Sequence, residues 1–468
     1  MHLEPFLPFL ILAAGVTVVL GAILVLRVNA FLALITAAIL VSLLAPGPLD
    51  ERIARVATAF GAMVGQLGIP IAMAAIIGKC LMDSGAADRI VRAFLGVLGE
   101  RRAPEALTCS GFVLSIPVFF DTVFYLLVPL ARSLFRRTGK HYMLYLGAIA
   151  TGGMVAHSLV PPTPGPLMMA IFLDVDLGLM ILVGVALGLP TAAAGLAVAR
   201  LIDRFMPIPM RPYTGEEEAV FAVDDRPLPP LGLSLAPILL PVALIALDRV
   251  VQVLAEAQAE ALGEPGAWTQ WSKVTASLGN PALALLLAAV IAMAMLKWQR
   301  RLSLVALGRS TEAALMSGGV IILITSAGGA FGDMLRVAGV GAAIEAVIDP
   351  EATGLGLLVL LFGAAVSSIL KIAQGSSTVA MLTAAGIFAP IAHLAGCHPV
   401  YLAMAIGNGA VIGSWMNDSA FWVFARMGVL TETETLKSWT VLLVAAGLVG
   451  VLLTLVAAWQ IPWPISAS

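Results

Sequence analysis

The sequence is short of charge. Only 12% of its 468 residues are Asp, Glu, Lys or Arg, whereas 60% are hydrophobic. Soluble domains carry about 25% charged and about 45–50% apolar residues. A soluble fold of this composition could not cover its apolar surface, so the sequence predicts an all-α polytopic membrane protein. A β-barrel is excluded, because the apolar runs are continuous over about 20 residues instead of alternating over about 10.

Other features are scarce or absent. The net charge is -2, which argues against nucleic acid as a partner. Three scattered cysteines, Cys80, Cys109 and Cys397, form no CxxC pair and require neither a disulfide nor a metal. No basic segment precedes the first apolar run, so we expect residues 6–26 to be a retained membrane helix. No phosphate-binding loop or HExxH motif is present, and we expect neither a cofactor nor a metal.

Apolar segments of spanning length recur along the chain. They lie near 6–26, 30–47, 57–81, 142–160, 166–200, 230–256, 279–297, 313–330 and 439–461. Two further segments, about 103–135 and about 353–396, are interrupted midway by the polar stretches 115–122 and 371–378. We interpret both segments as re-entrant helical hairpins whose tips meet near the membrane midplane. The alternative is two ordinary spans per segment, joined by a polar turn at the surface.

Two other apolar segments contain polar stretches where a membrane helix should continue. The first, 151–166, holds His157, Ser158 and four prolines, and the second, 407–419, ends in Asn417-Asp418-Ser419. Irregular backbone at bilayer depth occurs only where it is buried in protein or lines a watery cavity. A matched pair of such breaks is typical of a transporter's binding site. We therefore predict two broken transmembrane helices, about 142–176 and about 399–430.

Charges in the loops predict the orientation, because cytoplasmic loops collect Lys and Arg. The loops around the first hairpin are basic, with Arg89, Arg92, Arg101 and Arg102 before it and Arg132, Arg136, Arg137 and Lys140 after it. The loop before the second hairpin is acidic, with Asp333, Glu345, Asp349 and Glu351 against Arg336. The first hairpin is therefore expected to enter from the cytoplasm and the second from outside. Both termini would lie outside.

Opposite hairpins in two similar halves predict an inverted-topology repeat. The first half is 1–201, a polar cytoplasmic linker occupies 202–229, and the second half is 230–468. Thirty-six positions separate Gly85 from Asp121, and the same number separates Gly339 from Gly375.

Three titratable residues at the breaks are candidates for proton coupling. A charge at the bilayer centre costs at least about 2.5–3.5 kcal/mol, so Asp121 at the first tip indicates function; the alternative is a structural acid bound to backbone amides. His157 titrates near neutrality and can carry a proton or donate to an anion, or it is a neutral core histidine. Asp418 can bind a cation or a proton, or cap a helix N-terminus.

Polar residues around the same breaks are candidates for substrate binding. Half-helix N-termini present free amides and a positive dipole end, which suits a carboxylate and predicts an anionic substrate. The candidates are Ser115, Thr122, His157, Ser158, Thr163, Gln374, Gly375, Ser376, Ser377, Thr378, Asn417 and Ser419. Lys371 either lies just before the second tip, supports the hairpin or pairs with an acid.

Five stretches carry a family resemblance. They are IPVFFDTVFYLLVPLA at 116–131, HSLVPPTPGPLMMA at 157–170, AGGAFGDMLRVAGVG at 327–341, QGSSTVAMLTAAGI at 374–387 and MNDSAFWVF at 416–424. The chain resembles the gluconate:proton symporter family (gluconate permeases) of the ion transporter superfamily. The resemblance implies proton-coupled uptake of gluconate or a related sugar acid. It also implies a scaffold and a transport domain, homodimers and elevator-type motion. Thr163 departs from the family pattern, which commonly has a second histidine there.

The sequence thus predicts a multi-pass transporter of the inner membrane that imports a small hydroxycarboxylate with protons and is not an enzyme. A sodium-coupled carboxylate carrier or an antiporter is the alternative within transport. An intramembrane hydrolase would use His157, Ser158 and Asp418, but a nucleophile and its base must be in contact, and neighbours on a helix point in different directions. An anion channel would need an open basic pore and no coupling acid.

Overall fold

The computed structural model describes residues 6–26, 28–212, 227–262, 266–345 and 355–461, and its regular secondary structure in these ranges is entirely helical. Nine helices of this described part are long and apolar enough to cross a membrane. The predicted all-α polytopic membrane protein is therefore confirmed. Asp349 and Glu351 of the acidic loop, and residues 213–226 of the 202–229 linker, lie outside the described residues.

The helices fall into two runs on either side of the linker. The first run is α1 (Leu7–Leu20), α2 (Ala30–Leu44), α3 (Glu51–Ser84), α4 (Ala86–Leu98), α5 (Ala103–Leu114), α6 (Phe120–Thr138), α7 (Tyr142–Leu159), α8 (Pro164–Phe172) and α9 (Leu177–Phe205). The second run is α10 (Leu231–Leu262), α11 (Ala267–Leu278), α12 (Pro281–Arg300), α13 (Leu304–Val337), α14 (Val340–Glu345), α15 (Leu355–Gln374), α16 (Ser377–Phe388), α17 (Pro399–Gly409), α18 (Ser419–Gly428) and α19 (Glu432–Gln460).

The order of elements from α3 to α9 recurs from α13 to α19. Each series has a long helix, a short helix, a helical hairpin, a broken helix and a second long helix. The long helices α3 and α13 both have 34 residues, and each is followed by a left-handed glycine, Gly85 (φ 83°) or Gly339 (φ 75°). Glycine ends a helix in this conformation without the steric cost of a Cβ atom. The spacing of 36 positions found in both halves of the sequence therefore starts at equivalent places, the C-terminal ends of α3 and α13.

Prolines and glycines create the breaks. Residues 115–119 separate α5 from α6 and include Pro117, and α7 stops just before Pro161 and Pro162, which have no N–H to continue it. Pro164 then opens α8, where the missing N–H is not needed. In the second half, Gly375 in the left-handed region (φ 81°) connects α15 to α16.

The broken helices occupy the centre of the bundle. In the apolar 18-residue stretch of Tyr142–Phe172, 100% of the residues are buried. In the corresponding stretch of the peripheral segment Leu231–Ala259, 28% are buried. The first broken helix packs through α7 against α5, α6 and α9, and the second packs through α17 against α15 and α19. The first break is thus enclosed by protein, one of the two environments in which irregular backbone occurs at membrane depth. In the second break Trp415 and Asn417 are exposed, and Asn417 lines a pocket.

Candidate functional site

A pocket of about 330 Å³ lies where the two hairpin tips meet the two broken helices. All three proton-coupling candidates, Asp121, His157 and Asp418, line it. The substrate-binding candidates that line it are His157, Gln374, Gly375, Ser376, Ser377, Thr378, Asn417 and Ser419. Within the described residues, no three His, Cys, Asp or Glu side chains are grouped as metal ligands would be.

Four predicted binding residues lie outside the walls of this pocket. Ser115 faces Gly153, where an added Cβ would lie 3.1 Å from the Ser115 Oγ. The Thr163 hydroxyl donates to the carbonyl oxygens of His157 (3.0 Å) and Val160 (2.9 Å) and so satisfies the end of α7. Ser158 is fully buried, and Thr122 lies one residue beyond the pocket-lining Asp121.

Three helix N-termini border the pocket. Its walls include the first residues of α6, α16 and α18, namely Phe120, Ser377 and Ser419. The first turn of a helix has amides without intrahelical partners, and the helix dipole is positive there. Two of these amides have side-chain partners nearby, because Ser376 Oγ accepts from Val379 N (3.3 Å) and Asp418 Oδ1 accepts from Ala420 N (3.1 Å). First-turn amides that have no such partner are the groups that bind anions at helix N-termini.

Lys371 pairs with Asp418 at one side of the pocket. The Lys371 Nζ lies 2.7 Å from Asp418 Oδ2, and the two side chains are 1% and 6% exposed. Lys371 also donates to the Gly375 carbonyl oxygen (2.7 Å). The Ser414 hydroxyl donates to Asp418 Oδ2 and accepts from Trp439 Nε1 at 2.7 Å. A buried ion pair persists only when its remaining hydrogen-bonding capacity is met in this way.

The second hairpin tip packs directly on the second helix break. A Cβ at Gly375 would lie 2.1 Å from the Asn417 carbonyl oxygen, so only glycine allows this approach. The Asn417 side-chain amide and the Trp415 indole both donate to the Ile372 carbonyl oxygen, at 2.7 and 2.9 Å. Asn417 therefore joins the second hairpin to the second helix break by a hydrogen bond, and it also lines the pocket.

The opposite side of the pocket is more apolar. Phe119, Phe120 and Met154 line it together with His157, and the rings of Phe119 and His157 are 5.9 Å apart. The buried His157 Nδ1 has no hydrogen-bond partner among the described residues. Sequence reasoning missed the three apolar residues, because such residues occur throughout membrane helices. It also left the role of Lys371 open, although a lysine in an apolar helix is itself a signal of function.

The sequence places this site in a known group of proteins. Residues 7–460 match the profile described as GntP family permease. The chain belongs to the GntP permease family. The gluconate permease of Pseudomonas aeruginosa is 33% identical over 456 residues, covering 96% of this chain and 97% of that protein. The Gnt-II system L-idonate transporter of Escherichia coli K12 is 31% identical over 455 residues, covering 95% and 98%.

The fold of this GntP-family permease is similar to a solved one. The crystal structure of the Alcanivorax borkumensis YdaH transporter, with an unusual topology, superposes with a TM-score of 0.61 at 16% identity, covering 93% of this chain and 98% of that chain. Membership in a permease family and the nine candidate spans make this chain a multi-pass membrane permease. The chain is not an enzyme, which removes the hydrolase alternative.

Proposed function

We propose that this GntP-family permease is a proton-coupled symporter that imports gluconate or a related small sugar acid across the inner membrane. The observation that supports this most is the meeting of three helix N-termini around one small pocket that also holds Asp121 and His157. The amides would bind the substrate carboxylate. The side chains of Gln374, Ser377 and Asn417 would bind its hydroxyl groups. Relatives named as gluconate and L-idonate transporters support a sugar acid as the substrate class.

The charges around the pocket support coupling to a proton. Asp121, Asp418 and Lys371 all line it, and Lys371 neutralises Asp418 by direct contact. The negative charge of an incoming substrate carboxylate would therefore lie near the negative charge of Asp121, which the pair between Lys371 and Asp418 does not balance. Two such charges 4 Å apart repel by about 4 kcal/mol at an effective dielectric constant of about 20. A proton on Asp121 removes this repulsion, so substrate and proton would bind together. His157 is the second candidate for the proton.

We also propose an elevator movement in a homodimer. The halves 1–201 and 230–468, joined by the cytoplasmic linker 202–229, would insert in opposite orientations. The hairpins and broken helices would form the transport domain, and the peripheral helices the scaffold. The ion pair between Lys371 and Asp418 ties the second hairpin to the second broken helix, which favours movement of these elements as one body.

Uptake into proteoliposomes tests the proposal. Labelled gluconate, L-idonate and other sugar acids would be offered under an imposed proton gradient without sodium, and under a sodium gradient without a proton gradient. We expect accumulation with the proton gradient alone. Accumulation that requires sodium would support the sodium-coupled alternative, and uptake indifferent to both gradients would remove symport. Empty liposomes are the control.

A further inference from the structure

A second, larger cavity lies away from the substrate pocket. It has a volume of about 920 Å³ and lies between the start of α5, the α6–α7 turn and the end of α9, with Pro207 and Pro209 forming one wall. Phe135 and Tyr145 contribute aromatic surface to it. The basic loops of this region are the ones predicted to face the cytoplasm. The cavity would therefore open at the cytoplasmic surface of the membrane.

The cavity has an excess of positive charge. Its two acids are already paired, because Arg200 Nη2 lies 2.6 Å from Glu105 Oε1 and His141 Nδ1 lies 2.7 Å from Asp203 Oδ2. Three further basic residues line the cavity: Arg101, Lys140 and Arg204. None of these three has a carboxylate partner in the part of the chain that the structure describes. They come from three separate elements, so a ligand with several anionic oxygens would bridge all three.

We propose that this cavity binds the phosphate headgroup of an anionic phospholipid from the cytoplasmic leaflet. Arg and Lys are the side chains that bind phosphate, and basic pockets between transmembrane helices on this side bind anionic headgroups. The volume greatly exceeds that of a single phosphate, and the aromatic wall suits the glycerol and the first acyl carbons. Both features favour a lipid over a soluble phosphate. The bound headgroup would tie the first hairpin to α7 and α9.

Lipid binding to the purified full-length protein tests this site. Native mass spectrometry and thermal unfolding in detergent would compare phosphatidylglycerol, phosphatidylethanolamine and inorganic phosphate at equal ionic strength. We expect phosphatidylglycerol alone to bind and raise the unfolding midpoint, because a ligand of the native state stabilises it. The double variant Lys140→Gln/Arg204→Gln should bind phosphatidylglycerol about 30-fold more weakly, at about 1 kcal/mol per basic residue.

A matched pair of basic residues outside the cavity is the control. Lys297 and Arg309 are exposed and flank the basic connection between α12 and α13, which also holds Arg300 and Arg301, so the same charge rule predicts them to be cytoplasmic. Lys297→Gln/Arg309→Gln should leave phosphatidylglycerol affinity within about twofold. An equal loss in both double variants would overturn the proposal, since the whole basic surface would then be responsible. A full effect of inorganic phosphate would overturn the lipid assignment in favour of a soluble phosphate ligand. The four side chains changed in these two double variants, Lys140, Arg204, Lys297 and Arg309, are all exposed. Arg101→Gln/Lys140→Gln provides a second double variant of the cavity.

Discussion

Lys371 and Asp418 form a buried ion pair, with 2.7 Å between Nζ and Oδ2, that joins the second hairpin to the second helix break. Its members are 47 positions apart in the sequence. Gly375 and Asn417 touch beside it through their backbones. The pair therefore belongs to a junction that sets the positions of the α16 and α18 N-termini at the pocket.

Breaking this pair should be costly. Lys371→Met leaves the Asp418 carboxylate buried without its partner, which should lower the free energy of unfolding by about 3–5 kcal/mol. Lys371→Met/Asp418→Asn should lose less, because no lone charge remains. The control is Lys79→Met, which removes an exposed pair with Asp83 (2.8 Å) and should cost about 0–1 kcal/mol. Denaturant titration in detergent measures all three. Equal losses for the two single variants would contradict the structural role of the pair.

Gly375→Ala should impair substrate binding through a backbone clash. An alanine there is strained, since φ is 81°, and its Cβ would lie 2.1 Å from the Asn417 carbonyl oxygen. The hairpin tip must then move away from the helix break. Gly396→Ala is the matched control, because Gly396 has φ 61° and nothing within 4 Å of an added Cβ. Both variants carry the left-handed strain of about 1–2 kcal/mol. Only Gly375→Ala should weaken gluconate binding in calorimetry, and equal affinities would refute this.

Two buried serines should differ in their effect on substrate affinity. Ser377 Oγ and Ser158 Oγ both lack a hydrogen-bond partner among the described residues, but only Ser377 lines the pocket. A hydrogen bond between neutral groups contributes about 0.5–1.5 kcal/mol, so Ser377→Ala, which would remove a bond to a substrate hydroxyl, should raise the KM for uptake by about 2- to 12-fold. Ser158→Ala should change it by less than about twofold. A larger effect at Ser158 would place the substrate elsewhere.

Asp121→Asn should uncouple transport from the proton gradient. The amide resembles a protonated carboxyl, so the substrate can still bind, but no proton is released on the other side. We expect loss of proton-driven accumulation while exchange of labelled for unlabelled substrate continues. Asp174→Asn is the control, since Asp174 is exposed in the turn after α8 and lies outside the pocket. Full accumulation by Asp121→Asn would assign coupling to another group, with His157 next to be tested.

Much of the architecture was accessible from the sequence, because lipid imposes strict rules on residue type. The cluster of prolines after His157 and the polar stretch around Gly375 marked breaks that the structure shows, whereas single prolines such as Pro70 and Pro129 lie inside continuous helices. Asp121 and Asp418 stood out because an acid in an apolar segment is rare.

The sequence by itself determined the class of protein, the positions of the breaks and the polar groups available near them. Only the tertiary structure decided which of those groups share one pocket. His157 lines it and Ser158 does not, because successive residues of a helix are turned by about 100° from one another. The pairing of Lys371 with Asp418, and the cap that Thr163 provides for α7, likewise depend on how segments pack. Hydrophobicity and backbone chemistry act locally, so their effects can be predicted along the chain. Which side chains form an ion pair or a hydrogen bond depends on distances between segments, and only packing sets those distances.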